Sequence, residues 1–236
     1  MSASPTVSTA PASMYGGAFW ERMWRSAGIQ SAGLFIVAAF LYGQQPHVGA
    51  SSGDLAAFYV GDRARILIAA FVSGFATLNL LWFAAAIRAA LAEAGKDGWG
   101  SAATASSAAI GALFLLFVTV VAALAYSIAG AGDAALASGL NDFAWACFVL
   151  TSFPRAMLIM AGSFGLWRAS LISNATFVVC VAAVVLVLFG GSTWMSDGFW
   201  APDGVFSRVI SPAIGLVWVV LVSAFLVRRP ASGAGW

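Results

Sequence analysis

The stretch TSFPRAMLIM at 151–160 places Arg155 in the middle of an apolar run, and from 143 to 167 it is the only charged side chain. Twelve residues separate it from either end of that run. At about 1.5 Å rise per residue this is roughly 18 Å, beyond the reach of a snorkelling side chain. Inserting such a charge costs about 2.5–3.5 kcal/mol on translocon scales, so a polar partner must offset it. A planar guanidinium with five donors suits a phosphate, a carboxylate or a quinone-type carbonyl.

Helical spacing indicates which neighbours share its face. Asn141, Phe148, Thr151, Ile159, Gly162 and Leu166 fall within about 40° of Arg155. No acidic residue lies within an apolar span, and Asp142 is about 140° away around the axis, so an internal ion pair is not expected. Asn79 and Thr119 lie at similar depth on other helices, with Tyr126 further out. Pro154 removes the helical donor of the Leu150 carbonyl, which predicts a bend there and an acceptor beside the guanidinium. The resulting candidate ligand site is Arg155 with Asn79, Thr119 and Thr151. The competing reading has Arg155 capping the broken backbone with Asn79, Thr151 and water, and both stand at this point.

The elements that must position these residues follow from composition. Of 236 residues, 61% are hydrophobic and 8% charged, with a mean hydropathy of +0.93. A water-soluble domain carries roughly a quarter charged residues, so the chain reads as a multi-pass membrane protein. Six apolar segments qualify as spans: 26–42, 66–87, 105–129, 143–167, 175–191 and 209–227. The expected fold is therefore all-α, a polytopic bundle of six transmembrane helices over 18–229. A disordered tail at 1–17 precedes it and a short tail at 230–236 follows it. With the N-terminus inside, one face carries Arg22, Arg25, Arg88, Lys96, Arg168, Arg228 and Arg229, and the other only Arg63, Arg65 and Arg208. The positive-inside rule then puts both termini in the cytoplasm of a bacterial-type plasma membrane. Small residues at four-residue spacing, among them Ala70/Gly74, Ser107/Gly111 and Ala161/Gly165, would let the second, third and fourth spans approach closely.

Two outer connections are longer than a tight turn. In 51–63, Asp54 is placed to cap a short helix. In 192–208, Trp194, Phe199 and Trp200 form either an aromatic belt at the membrane face or a surface for docking a partner.

The same residues exclude several function classes. A net charge of +2 with no basic run gives no nucleic-acid footprint. The single histidine, His47, and the single lysine, Lys96, both lie in loops, so neither a histidine metal site nor an intramembrane Schiff base is expected. Cys147 and Cys180 sit in apolar segments, where thiols usually just pack. No phosphate-binding loop or dinucleotide fingerprint occurs. The outer carboxylates Asp54, Asp142, Asp197 and Asp203 read as caps or solvated loop charges. No metal, cofactor or catalytic residue is therefore expected.

The segment LLWFAAAIRAALAEA at 80–94, the apolar span after it, and NDFAWACFVLTSFPRAMLIMAGSFGLW at 141–167 resemble a family of bacterial multi-pass membrane proteins of unassigned function. In that family an aromatic-Arg helix end precedes an Asn-led helix containing Phe-Pro. The resemblance covers most of 64–228. It implies a bundle of this topology and carries over no catalytic or binding residue.

Two functional expectations follow. The first is a non-catalytic integral subunit or accessory protein of a larger assembly, surrounded by the lipid bilayer and docked on a partner subunit or a second copy. The second is binding or transport of a lipid-like or small anionic molecule anchored by Arg155.

Overall fold

The computed structural model describes residues 20, 22–192 and 195–229, so both expected tails and Trp194 lie outside the described residues. The described chain is all-α, with no strand among those residues. Its helices are α1 (Ala27–Tyr42), α2 (Ser52–Tyr59), α3 (Arg63–Glu93), α4 (Asp97–Tyr126), α5 (Ala134–Leu150), α6 (Ser152–Arg168), α7 (Asn174–Phe189) and α8 (Ser211–Arg228). Four stretches are long and apolar enough to cross a membrane: Arg63–Glu93, Asp97–Gly130, Ala134–Arg168 and Phe206–Arg228. The other two apolar helices, α1 and α7, have 16 residues each and fall short of that length.

Burial follows the pattern of a bundle in lipid. Phe71, Trp82, Val179 and Leu221 are exposed, while Ser31, Ser73, Ser107, Ser163 and Ser223 are buried. In water, so much exposed apolar surface would drive association. In hydrocarbon it costs little, and helices are held by close packing and hydrogen bonds between them. Both are present. Ser31 Oγ donates to the Ala76 carbonyl at 2.8 Å, and Ser107 Oγ to the Leu80 carbonyl at 3.3 Å. A Cβ on Gly28 would lie 2.6 Å from the Phe83 ring, and one on Gly162 would lie 2.7 Å from the Trp218 ring. Of the small residues picked out by spacing, Gly111 meets Thr77 and Gly165 meets Leu91 and Trp99, whereas Gly74 faces open space.

The last helix, α8, packs back on α1. The closure is polar at the end where the described chain starts and stops. Ser223 Oγ donates to the Arg25 carbonyl at 2.7 Å, and the Arg25 guanidinium donates to the Arg229 carbonyl at 2.9 Å. This is the termini end; the other is the loop end, which holds α2 and residues 195–205. One apolar cluster, with Phe83, Ile87, Leu91 and Trp218, fills the termini half. A second, with Leu55, Tyr59, Phe117 and Leu124, fills the loop half.

At the loop end, Ser51 caps α2 by accepting from the Asp54 amide, and Asp54 returns a carboxylate contact to Ser51 Oγ at 2.7 Å. The sequence assigned the cap to Asp54. The structure gives it to Ser51, with Asp54 in the first turn accepting from the Ser51 hydroxyl.

Trp218 is fixed from two sides, by its Nε1–H bond to Ser163 Oγ at 2.9 Å and by the bare backbone of Gly162. Gly162→Val therefore has to displace a pinned indole, and is expected to destabilise by about 1–3 kcal/mol, the usual cost of overpacking a core. Thermal unfolding in detergent measures this, and an unchanged midpoint would show that the indole moves freely.

Candidate functional site

A cavity of about 510 Å³ lies where the two apolar clusters meet. Leu158, Ile159 and Trp218 of the termini cluster line it, as do Ile66, Phe117 and Val121 of the loop cluster. The face read from helical spacing is the one that lines it: Phe148, Thr151, Arg155 and Ile159 all border the cavity.

The chain around Arg155 departs from the expected bend. The helix is interrupted at Thr151, three residues before Pro154, where the Thr151 amide turns back to the Phe148 carbonyl at 3.2 Å. Pro154 then occupies the first turn of α6, where a missing N–H leaves no bond unmade. The acceptor beside the guanidinium is accordingly not the Leu150 carbonyl. Arg155 Nη2 donates to Ser152 Oγ at 2.7 Å, while its buried Nε has no partner among the described residues. No carboxylate of a described residue lies within ion-pair distance of it.

Asn79 and Thr119 do not join this site. Asn79 Nδ2 donates to the Phe75 carbonyl at 2.9 Å, and the exposed Thr119 hydroxyl donates to the Leu115 carbonyl at 2.8 Å. Each is satisfied by its own helix one turn back, and neither borders the cavity. Thr151 does border it, but its hydroxyl donates to the Phe148 carbonyl.

Sequence reasoning missed a second cation. Arg208 lines the same cavity from the π-helical turn Phe206–Ile210 that leads into α8. Its side chain makes no hydrogen bond or ion pair with the described residues. The turn has a local cause: Pro212, at the start of α8, has no N–H to give the Arg208 carbonyl, and the chain widens just before it. Seven residues on, Gly215 leaves room for Arg155, whose Cδ lies 3.8 Å from where a Cβ would stand. The two arginines thus address one cavity from levels roughly 10 Å apart along α8. Tyr42 also lines it, and its buried hydroxyl has no partner among the described residues.

Asn141, read from sequence only as a polar neighbour of Arg155, organises the loop end instead. It is fully buried. Its Oδ1 accepts from Tyr59 OH at 3.0 Å and from Gln45 Nε2 at 3.2 Å, and its Nδ2 donates to the His47 carbonyl at 3.1 Å. One turn on, Trp145 Nε1 donates to the Pro46 carbonyl at 2.8 Å. Residues 43–50 are thereby held across the loop end of the cavity, with Gln45 and Trp145 bordering it. Burial pushes the Tyr59 hydroxyl up from 10.0 to about 12, so it remains a neutral donor to Asn141 throughout the physiological range.

The outer carboxylates also serve this cap. Asp142 accepts from the Gly49 amide at 3.0 Å and Asp203 from the Val48 amide at 3.2 Å, which ties the two outer loops together. Phe199 and Trp200 meet edge to face, with centroids 5.0 Å apart, and both pack on Phe206. Each keeps part of its ring exposed.

No protein-family model, curated protein or solved structure matches this chain, and the family resemblance gains no support from those comparisons.

Replacing Asn141 by Leu would strand the Tyr59 hydroxyl and the Gln45 amide in a buried setting. Each unmatched group costs roughly 1–3 kcal/mol. The variant is expected to melt well below wild type and to become sensitive to proteolysis within 43–50. Wild-type protection of that loop would show that the cap is held by other contacts.

Proposed function

We propose that this protein binds an amphipathic molecule with an anionic or strongly polar group, and that Arg155 is the anchor. The observation that carries this reading is a guanidinium lining an apolar cavity, with one hydrogen bond to a neutral hydroxyl and an Nε that has no partner among the described residues. One bond from a guanidinium contributes about 1.5–3 kcal/mol, which at best roughly matches the insertion cost of about 2.5–3.5 kcal/mol and leaves the charge uncompensated, whereas an anion would accept several such bonds and neutralise it. The sequence favours an accessory subunit; the cavity and its second cation are what support the binding reading proposed here. The ligand site is Arg155 and Arg208, with Thr151 at its edge.

The reading includes six membrane passes. The 16-residue helices α1 and α7 cross together with their flanking residues, and the termini end is cytoplasmic. That end carries Arg22, Arg25, Arg88, Lys96, Arg168, Arg228 and Arg229, which supports this orientation. Reporter fusions at both termini are expected to be active only as cytoplasmic reporters. A periplasmic signal from either terminus would overturn the orientation.

Arg155→Gln keeps a donor of similar length and removes the charge. Native mass spectrometry of gently extracted wild type is expected to show a small adduct on the 24.3 kDa chain, and the variant to lose it at an unchanged melting temperature. A drop in stability with the adduct retained would instead make Arg155 a structural cap.

A further inference from the structure

We infer that the ligand of this cavity is a resident of the bilayer, held with its anionic head between Arg155 and Arg208 and its hydrocarbon tail passing out sideways between α1 and α8. The inference rests on the reading of the cavity as a binding site. It adds the route and the chemical class.

The route follows from which sides are closed. At the termini end, α1 and α8 touch, with a Cβ on Gly28 only 2.9 Å from the Ser223 Cβ and Ser223 bonded to the Arg25 carbonyl. At the loop end, residues 43–50 are pinned over the cavity by Asn141 and Trp145. Between these closures, residues on both helices border the cavity and are exposed to the surroundings as well. On α1 these are Ala39 and Phe40, the latter 83% exposed. Facing them are Val209, 55% exposed, and Ala213. Two alanines at this height leave a gap where larger side chains would fill it. The rim is apolar throughout, so it opens to hydrocarbon rather than to water.

The chemistry follows from the walls. Two guanidiniums without carboxylate partners among the described residues call for an anion, and a planar fork recognises phosphate or carboxylate oxygens in pairs. Arg208 enters at the loop end and Arg155 deeper, so a head between them leaves its chain level with the rim. A wholly water-soluble anion would gain nothing from the Phe, Leu and Ile walls and would have to pass the loop cap. The shared chemistry is therefore an acyl or prenyl chain carrying a phosphate or a carboxylate.

The test uses the full chain in phosphatidylcholine vesicles containing a phosphatidylglycerol with a photoreactive acyl chain. Cross-linked sites are mapped by peptide mass spectrometry. Labelling is expected on cavity residues such as Phe117 and Trp218. It should fall by about tenfold in Arg155→Gln, equivalent to about 1.4 kcal/mol of binding. Ala39→Trp and Ala213→Trp fill the gap from either helix, at exposed positions that should tolerate them. Each should reduce cavity labelling similarly, whereas Val217→Trp, on the lipid-facing side of α8, should not. A carboxylate-headed photoreactive fatty acid, run in parallel, tells which head is preferred.

Undiminished cavity labelling in both tryptophan variants would overturn the sideways route. So would equal labelling of wild type and variants by a photoreactive phenyl phosphate added from water, although the cavity would remain a binding site. No cavity labelling of wild type by any probe would overturn the binding reading itself.

Discussion

The arrangement of this bundle depends on how it accommodates one guanidinium. Arg155 lies in a segment with no other charge, and its nearest polar group is the hydroxyl of Ser152. That contact exists because the helix stops at Leu150 and restarts at Ser152, which brings Ser152 and Arg155 into the same first turn. Gly215 on α8 leaves space for the side-chain stem. These features place the charge without neutralising it. A neutral hydroxyl offsets only part of the cost of a charge at this depth. The residue lines a cavity that also receives Arg208, so the electrostatic demand of the site is for an anion.

The size of the cavity points the same way. A sealed, dry void of about 510 Å³ would cost on the order of 12 kcal/mol at about 24 cal/mol per Å³, as much as a typical domain's whole stability. A bundle with such a space must let something fill it. Close contacts at Gly28 and Gly162 hold the termini side of this cavity tightly, and its exposed rim, Phe40 and Val209, lies on the loop side. Chains from the surrounding bilayer can occupy a space that opens sideways. The tight half and the open half are thus one solution to packing helices whose outer surfaces are equally at home in lipid.

Much of this was legible in the sequence, and what was not has specific causes. The all-α class and the position of Arg155 follow from hydropathy and charge. The face shared by Phe148, Thr151, Arg155 and Ile159 follows from helical spacing, which survives because the break at Thr151 barely disturbs the helical phase. Asn79 and Thr119 match Arg155 in depth alone. Depth along a helix says nothing about direction, and such side chains readily bond back to the carbonyl one turn earlier. Pro154 suggested a bend at its own position, but a proline is tolerated in a first turn, so the interruption falls before it. Arg208 was counted only as a loop charge. Its signal was Pro212 four residues later, which widens the turn and brings position 208 to the cavity. The role of Asn141 depends on a distant loop, residues 43–50, whose Pro46 and His47 carbonyls accept from its side-chain amide. No local pattern could reveal that pairing.

The two cappings of the cavity differ in a way that bears on mechanism. Towards the loop end the closure consists of directional bonds to Asn141, supported by a Tyr59 hydroxyl that burial keeps neutral well beyond physiological pH. Such bonds are short-ranged, and breaking one leaves a buried group unmatched, so this closure behaves as fixed. Towards the bilayer the boundary is only apolar contact, which parts without stranding any polar atom. A molecule can therefore exchange with lipid at little cost, but not with water. Energised transport couples such exchange to a group that gains or loses charge at the midplane. The apolar segments here contain no acidic residue, and the one charge among them is a guanidinium. An equilibrium site that captures and presents an anionic amphiphile fits these constraints better than a pump does.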